Sequence, residues 1–271
     1  MTTHACDTCA VHAELERMGV TLDRFDRVVA LAGNPNTGKS TLFNALTGLR
    51  QHTGNWPGKT VTRAEGGFEF AKVRYKLVDL PGTYSLLSAS TDEEVARDFL
   101  LFGGPDATIV VTDATALERN LNLVLQVLEI TDRVVVAVNL MDEARRKGIE
   151  VDLRSLARDL GVPAVGIVAR TGEGLHALLD AVDGVASGRI PTRPLRVEGT
   201  PDFRRAVQDL VPLIEQAAPG VPNARWLAIR LLDGDAQVEE ALVSGRLAEV
   251  VAAQQRSAAR FSRKIALEGA Q

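Results

Sequence analysis

Short apolar runs alternate with amphipathic stretches between residues 27 and 190. Contiguous or alternating apolar residues predict strands over 27–32, 68–70, 73–78, 105–113, 134–138 and 164–168. Apolar residues at helical spacing predict helices from residue 41 onward and over 117–130, 151–160 and 175–182. Strands and helices that alternate in this way predict an α/β fold with a mostly parallel sheet and ligands at the carboxyl ends of the strands.

The pattern changes after residue 190. The segment 191–201 is rich in Pro and Gly and predicts a linker. Beyond it, apolar residues recur at helical spacing alone, with a kink or restart expected at Pro212 and a helix cap at Asn223. The predicted organisation is therefore an N-terminal extension over 1–26, an α/β domain over 27–190, a linker over 191–201 and a small all-helical domain over 202–271.

Composition narrows the class of protein. A chain of 271 residues with 45% hydrophobic residues can bury a real core. A formal net charge of -4 argues against a general nucleic-acid binder. No apolar run approaches the ~18 residues of a membrane span, and the N terminus lacks a continuous apolar stretch of the secretory type. We therefore expect a soluble fragment in a reducing compartment, since Cys6 and Cys9 offer no disulfide framework.

The N-terminal extension carries a compact cluster of His4, Cys6, Cys9 and His12. These side chains could offer four ligands to a soft metal, although the spacing is tighter than in zinc modules. A mobile tail is the simpler interpretation, and a redox or metal role is the alternative.

Residues 33–40 (GNPNTGKS) fit the phosphate-cradling pattern G-x-x-x-x-G-K-[ST] in full, between a predicted strand and a predicted helix. In such a loop the backbone N–H groups and the helix N terminus hold phosphate oxygens. Lys39 would reach the outer phosphates, and the Ser40 hydroxyl would hold magnesium. The predicted phosphate-binding residues are Gly33, Asn34, Pro35, Asn36, Thr37, Gly38, Lys39, Ser40 and Thr41.

A polar stretch with no apolar period follows over residues 49–60, and so long a loop is usually functional. The residues of interest in it are Asn55, Trp56, Pro57, Gly58 and Thr60. In one interpretation Trp56 only caps the core. In the other, the stretch is a switch segment that closes over the third phosphate, with the Thr60 hydroxyl on magnesium and its N–H on the phosphate. The residues leave both interpretations open.

Asp79 and Gly82 form a D-x-x-G at the end of the predicted strand 73–78. This tetrapeptide alone is a weak signal, but it follows the phosphate loop by about forty residues, which strengthens it. Asp79 is predicted to hold the magnesium shell, and the Gly82 N–H is predicted to meet the terminal phosphate.

Asn139 and Asp142 form an N-x-x-D after the predicted strand 134–138. The Asp142 carboxylate can accept from two N–H groups of guanine that adenine lacks, whereas an isolated tetrapeptide would be better explained as a helix cap. The Ala169 N–H is predicted to contact the guanine oxygen, and the base site is completed by Met141, Val168 and Arg170. The predicted ligands are therefore GTP or GDP with magnesium.

From residue 27 to the C terminus, the chain resembles the cytoplasmic N-terminal part of the bacterial ferrous iron transport protein B. The resemblance rests on residues 33–44 (GNPNTGKSTLFN), 54–58 (GNWPG), 79–86 (DLPGTYSL), 113–115 with 117–121, 139–144 (NLMDEA) and 225–228 (RWLA). Many GTPases share the phosphate-loop motif, whereas the Trp-Pro loop and the stretch around Tyr84 are narrower signals.

The resemblance implies a Ras-like GTPase domain, or G domain, that hydrolyses GTP to GDP and phosphate. A helical domain that biases nucleotide affinity would follow, although plain structural support is the alternative for that part. A membrane region that carries ferrous iron would lie C-terminal to this chain, which places the chain on the cytoplasmic side of the bacterial inner membrane. A homo-oligomer is possible.

The resemblance also implies activation by potassium. Asn36 would be a potassium ligand, and the backbone around Asn55 and Trp56 would complete the shell of the ion. The cation would offset charge that develops between the β- and γ-phosphates. The implied catalytic residues are then Asn36, Lys39, Thr60 and Gly82, although Asn36 could instead only brace the loop.

The chain departs from Ras-like machinery at Thr83, which stands where many GTPases have a water-orienting glutamine. We expect slow intrinsic hydrolysis with the water held by backbone groups. Lys59 also departs from the family, which commonly has an apolar residue there. Two rivals are a free GTPase that acts on RNA or ribosome assembly and a module that binds GTP without turnover. The RNA rival would need a basic appendage, and the helical part has no charge excess and no G-x-x-G loop.

Overall fold

The computed structural model of the chain describes residues 25–48, 51–87, 90–196, 198–249 and 251–252. The cluster of His4, Cys6, Cys9 and His12 lies outside these residues. Its role therefore stays a prediction with both alternatives open.

Seven strands in the described ranges form one sheet in the order β2-β3-β4-β1-β5-β6-β7. Their bounds are β1 Arg27–Gly33, β2 Gln51–Asn55, β3 Thr62–Phe70, β4 Val73–Asp79, β5 Ala107–Asp113, β6 Val134–Asn139 and β7 Ala164–Gly166. The pairs β1–β4, β1–β5, β5–β6 and β6–β7 are parallel, and β2–β3 and β3–β4 are antiparallel. The predicted α/β fold with a mostly parallel sheet is confirmed.

Helices follow most of the parallel strands. Their bounds are α1 Lys39–Thr47, α2 Thr91–Phe102, α3 Leu117–Ile130, α4 Met141–Arg146, α5 Leu153–Leu160, α6 Leu175–Ala186, α7 Pro201–Ala217, α8 Ala224–Leu232 and α9 Ala236–Val243. A 3₁₀ turn, Ala114–Ala116, joins β5 to α3. Helices thus connect β4 to β5, β5 to β6 and β6 to β7, and β1 is connected to its parallel neighbour β4 through α1 and the strands β2 and β3.

The core lies where the sheet meets its helices. The strands β5 and β6 are buried along almost their whole length, because parallel strands covered on both faces carry contiguous apolar runs. Leu42 and Phe43 of α1 and Leu178 and Val182 of α6 pack into the same cluster of buried residues. This core fixes the carboxyl ends of β1, β4 and β6, from which the predicted motifs extend.

Three elements differ from the sequence expectation. Residues 51–55, expected in a loop, form the edge strand β2. Its exposed polar residues lack the alternation of a half-buried strand. Helix α2 was not predicted, although its buried Val95, Ala96, Phe99 and Leu100 have helical spacing. Helix α4 has only six residues, too few to show a period.

The described residues form two compact units, the larger comprising 25–100 and 104–196 and the smaller 101–103 and the residues from 198 onward. In the smaller unit, Asn223 caps α8 as expected, since its side chain accepts from the Trp226 N–H at 3.0 Å. Helix α7 continues through Pro212, where a kink or restart was expected. The exact limits of the predicted domains stay a prediction.

A buried ion pair organises the end of α8. Arg230 donates through Nε and a terminal nitrogen to Asp235 Oδ2, at 3.1 Å each. The other oxygen of Asp235 accepts from the N–H groups of Gln237 and Val238 and caps α9. Within the part of the chain that the structure describes, no helix is long and apolar enough to cross a membrane.

Candidate functional site

The phosphate loop connects β1 to α1 and has the backbone that its sequence predicts. Gly38 at the start of α1 has φ of 82°, in the left-handed region, and a Cβ there would lie 2.3 Å from Asn139 Nδ2. Only glycine satisfies both conditions. The Thr37 hydroxyl donates to the Asn34 carbonyl at 2.9 Å and closes the loop on itself. The loop is therefore preformed, with Asn36 exposed at its tip in a left-handed conformation.

Asn139 joins the phosphate loop to the predicted base loop. It is buried, its Nδ2 donates to the Thr37 carbonyl at 2.9 Å, and its Oδ1 accepts from the Ala169 N–H at 3.0 Å. The sequence placed this amide beside the base and the Ala169 N–H on the guanine oxygen. In the structure the Asn139 amide contacts these two backbone groups, and the predicted contacts of Asn139 and of the Ala169 N–H with guanine stay predictions.

Asp142 lies in the first turn of α4, which begins after the left-handed residue Leu140. Its Oδ2 lies 3.4 Å from a guanidinium nitrogen of Arg170 and 3.7 Å from one of Arg146. The structure thus brings two predicted base residues, Asp142 and Arg170, side by side. Two guanidinium groups therefore flank the carboxylate that is predicted to recognise guanine. The Met141 N–H donates to the Ile167 carbonyl at 3.3 Å.

Lys39 connects the phosphate loop to the D-x-x-G motif. Its ammonium forms an ion pair with Asp79 and donates to the Leu80 carbonyl at 2.7 Å. Burial raises the pKa of Asp79 above its ordinary value, while the ammonium of Lys39 acts in the opposite direction. In the parallel register, Leu31 of β1 pairs with Asp79 of β4. Asp79 therefore lies beside the carboxyl end of β1, from which the phosphate loop extends.

Thr60 and Gly82 meet in one cleft of about 540 Å³. Its three walls are residues 60–62, 81–82 and 90–92. The wall at Gly82 is tied to the phosphate loop, because the Thr83 N–H donates to the Gly33 carbonyl at 3.3 Å. Two predicted catalytic residues therefore share a polar cleft, whereas Ser40, exposed at the start of α1, is absent from the described residues that line it.

Trp56 is a core residue. Its side chain is 5% exposed, and its ring meets Phe99 of α2 edge to face at a centroid distance of 5.5 Å. The guanidinium of Arg63 lies 5.7 Å from the same ring. Asn55, Pro57 and Gly58 beside it are exposed. The core interpretation is therefore correct for the side chain, while the backbone of this loop still borders the cleft.

Sequence reasoning missed the contacts that hold the stretch after Gly82. The Leu86 N–H donates to Gln126 Oε1 of α3 at 2.6 Å. The guanidinium of Arg119 lies 4.7 Å from the centre of the Tyr84 ring. No motif marks Gln126. The run 117–121 that includes Arg119 belongs to the family resemblance, but it gave no indication of this contact.

The oxygen atoms available as ligands suit the predicted cations. The Ser40 and Thr60 hydroxyls and the Asp79 carboxylate are hard oxygen ligands of the kind that magnesium prefers. In the phosphate loop, Asn34 Oδ1 is buried with no hydrogen-bond donor among the described residues. An amide oxygen without a donor is a group that a monovalent cation can satisfy.

Two family models match the chain. One, described as ferrous iron transport protein B, matches residues 27–182, and the other, a FeoB cytosolic helical domain, matches residues 200–267. The Fe(2+) transporter FeoB of Salmonella typhimurium is 41% identical over 212 residues, or 76% of this chain and 27% of the relative. The chain thus spans about a quarter of the length of the curated relatives it matches.

Solved structures of cytosolic domains are also similar. The cytosolic domain of the T. maritima FeoB iron transporter in a GDP form is 35% identical, with a TM-score of 0.75 over 88% of this chain and 95% of that one. The GMPPNP form is 36% identical, with a TM-score of 0.70 and the same coverage. GDP and GMPPNP are guanine nucleotides, the ligand class that the motifs of this chain predict.

Proposed function

Because the chain belongs to the ferrous iron transport protein B family, we propose that it binds and hydrolyses GTP and thereby regulates ferrous iron uptake. The observation that carries the proposal is the Asn139 bridge between the Thr37 carbonyl and the Ala169 N–H. This bridge fixes the predicted phosphate loop and base loop to each other. The solved relatives in GDP and GMPPNP forms support a guanine nucleotide as the ligand.

Asp142 is the proposed selector of guanine. Its carboxylate, which lies beside Arg146 and Arg170, would accept from the N1–H and the exocyclic N–H of the base. Met141, Val168 and Ala169 would border the base. Adenine presents no matching pair of donors, so ATP would be rejected.

Lys39 and the backbone around Gly82 are the proposed stabilisers of the transferred phosphate. The Thr83 hydroxyl donates its proton to the Ser85 carbonyl at 2.6 Å. It therefore would not replace the missing glutamine in orienting water. Backbone groups near Thr60 and Gly82 are left to orient the attacking water, and intrinsic hydrolysis would be slow. Magnesium, held by Ser40, Thr60 and Asp79, would neutralise phosphate charge when bound.

Potassium is the proposed activator. The exposed Asn36 and the buried Asn34 Oδ1, which has no donor among the described residues, support a monovalent cation beside the phosphate loop. Such a cation would supply the positive charge that an arginine finger gives other GTPases.

The regulatory part of the proposal concerns the part of the relatives that this chain does not cover. A membrane region C-terminal to this chain would carry ferrous iron as its substrate across the inner membrane, with this chain on the cytoplasmic side. The predicted switch segment at 50–60 and the stretch 79–86 would change order with the third phosphate and transmit the nucleotide state. An assembly of several copies is compatible with this arrangement.

The test is nucleotide turnover by the purified chain. We expect GTP hydrolysis that requires magnesium, that is several-fold faster in potassium than in sodium chloride of equal ionic strength, and that excess ATP does not inhibit. Asn36→Ala should remove the potassium effect and leave GDP binding intact. A rate that is independent of potassium would overturn the cation part, and a chain that binds GTP without turnover would overturn the enzymatic part.

A further inference from the structure

The loop from Trp56 to Val61, called here the 56–61 loop, is closed by its own backbone. The Trp56 N–H donates to the Val61 carbonyl at 2.9 Å, and the Lys59 N–H donates to the Trp56 carbonyl at 3.0 Å. Its first residue is seated in the core against Phe99 of α2. These contacts anchor the base of the loop. The Lys59 side chain and Thr60, on the far side of the loop, depend on other contacts.

Lys59 supplies one such contact. Its Nζ lies 2.8 Å from Glu94 Oε2, with the two side chains 29% and 28% exposed. Glu94 stands in the first turn of α2, where its N–H donates to the Ser90 carbonyl at 3.0 Å. Because both charges are partly shielded from water, their attraction is stronger than that of a fully exposed pair.

The ion pair joins two of the chain segments that line the cleft containing Thr60 and Gly82, although Lys59 and Glu94 are not among the described residues that line it. One partner precedes the wall at 60–62, and the other follows the wall at 90–92. Along the chain, these two walls are connected through the 27 residues from 63 to 89. The distance between them therefore depends on non-covalent contacts, and the Lys59–Glu94 pair is the charged contact nearest to Thr60 in sequence.

We infer that the Lys59–Glu94 ion pair is a clasp that holds the 56–61 loop across the cleft and thereby positions Thr60 for hydrolysis. Lys59 touches no reacting atom in this scheme, so it is a positioning residue. The inference rests on the proposed GTP hydrolysis. It also gives a role to the residue at which this chain departs from the apolar residue common in the family that it resembles.

The first experiment is a charge exchange in the full 271-residue chain. Single-turnover hydrolysis at saturating GTP is measured for the wild type, Lys59→Met, Lys59→Arg, Glu94→Lys and the double variant Lys59→Glu with Glu94→Lys. Lys59→Met should slow hydrolysis about two- to fivefold, the range that a partly exposed ion pair contributes, with GDP affinity unchanged. Lys59→Arg and the exchanged double variant should restore the rate.

Lys59→Met is the cleaner single variant, because Glu94 has a further interaction. Arg189→Met is the matched control, since it breaks ion pairs with Asp180 at 2.8 Å and with Asp183 at 3.5 Å, and these residues are not among the described residues that line the cleft. Raising ionic strength with choline chloride at fixed potassium should slow the wild type and leave Lys59→Met unchanged, because salt screens the pair. An unimpaired Lys59→Met, or an exchanged double variant no faster than Glu94→Lys, would overturn the clasp.

A second measurement reads the clasp without turnover. Trp56 and Trp226 are the two tryptophans of the chain, so in a Trp226→Phe background the fluorescence reports on Trp56. Acrylamide quenching should rise in Lys59→Met and return to the starting level in the exchanged double variant. Quenching that behaves this way in a chain without hydrolysis would refute the proposed function and keep the clasp. Hydrolysis with unaltered quenching would refute the clasp alone.

Discussion

At the residue scale, one carboxylate carries the choice of base in the proposed site. Asp142 faces Arg170 and Arg146 at 3.4 and 3.7 Å, and its side chain is 26% exposed. A ligand can therefore reach it without disturbing the core. Asn139, three residues earlier, is buried, and its amide bonds the Thr37 carbonyl and the Ala169 N–H. In the proposed site, Asp142 would select the base and Asn139 would position the loops around it.

Asp142→Asn should exchange guanine for xanthine specificity. The variant amide offers a donor where guanine also has one, whereas xanthine has a carbonyl oxygen at that position. Each hydrogen bond to a charged group contributes about 1.5–3 kcal/mol, so GDP affinity should fall at least ~100-fold while XDP affinity rises. Isothermal titration with both nucleotides measures this, and an equal loss for GDP and XDP would contradict a direct contact with the base.

The stability of the fold is expected to depend on pH through a different carboxylate, that of Asp26. Arg74 donates to Asp26 from its backbone N–H at 2.9 Å and from its guanidinium at 2.9 and 3.1 Å. These hydrogen bonds, the side-chain ones first, lower the pKa of Asp26 from 3.8 to about 2. A lowered carboxyl pKa stabilises the fold at pH values above the unfolded pKa, and this stabilisation is lost as the pH falls from about 4 towards 2.

Asp26→Asn should therefore cost about 0.2–1 kcal/mol of unfolding free energy at pH 7, as expected for an exposed pair, and nothing near pH 2. The carboxyl carbon of Asp26, followed by NMR, should titrate near 2 in the wild type and near its ordinary value in Arg74→Leu. An ordinary pKa for Asp26 in the wild type would show that the pair does not form.

At the element scale, the hairpin of β3 and β4 contains a buried charged triad. Glu65 pairs with Lys76 at 2.6 Å and with Arg63 at 2.7 Å, and Glu65 and Lys76 are 2% and 3% exposed. The ammonium of Lys76 also lies 5.1 Å from the centre of the Phe25 ring. Because Glu65 is one anion between two cations, replacing Glu65 and replacing Lys76 should have unequal effects on the free energy of unfolding.

Glu65→Gln should destabilise the chain by about 3–5 kcal/mol, because it leaves two cations buried without their counter-charge. Lys76→Met should cost clearly less, since a balanced pair of Glu65 and Arg63 remains. Urea denaturation followed by circular dichroism measures both free energies of unfolding, and the double variant should cost less than the sum. Equal costs for the two single variants would contradict a shared counter-charge.

The same scale shows how far sequence reasoning reached. Strands such as β6 were predicted well because a contiguous apolar run between helices has one explanation, a strand buried on both faces. Edge strand β2 carries no such pattern, since its described residues are exposed and its pairing with β3 is set by backbone hydrogen bonds. The motifs identified Lys39 and Asp79, which form an ion pair, and Thr60 and Gly82, which line one cleft, while the roles predicted for them stay predictions. Lys59–Glu94 and Gln126 depend on three-dimensional neighbours that no motif records.

At the scale of the whole molecule, every described residue predicted to bind nucleotide falls within the larger unit. The end of that unit is marked by backbone contacts. The Arg193 N–H donates to the Gly161 carbonyl and the Leu195 N–H to the Leu160 carbonyl, both at 2.9 Å. Arg196 donates to the Glu129 carbonyl at 2.5 Å and pairs with Asp132. Half of the predicted linker is thus held against α5 and the end of α3.

Two truncations test whether the larger unit is an independent nucleotide-binding domain. A fragment of residues 1–196 should fold and bind GDP with the affinity of the full chain. A fragment of residues 1–190 should be less stable by about 2–4 kcal/mol, because it loses three hydrogen bonds worth about 0.5–1.5 kcal/mol each. The close approach of residue 193 requires glycine at position 161, because a Cβ there would lie 1.8 Å from the Arg193 carbonyl oxygen. Fragments of equal stability would place the domain boundary near residue 190, and failure of the longer fragment to bind GDP would show that the smaller unit is required for the site.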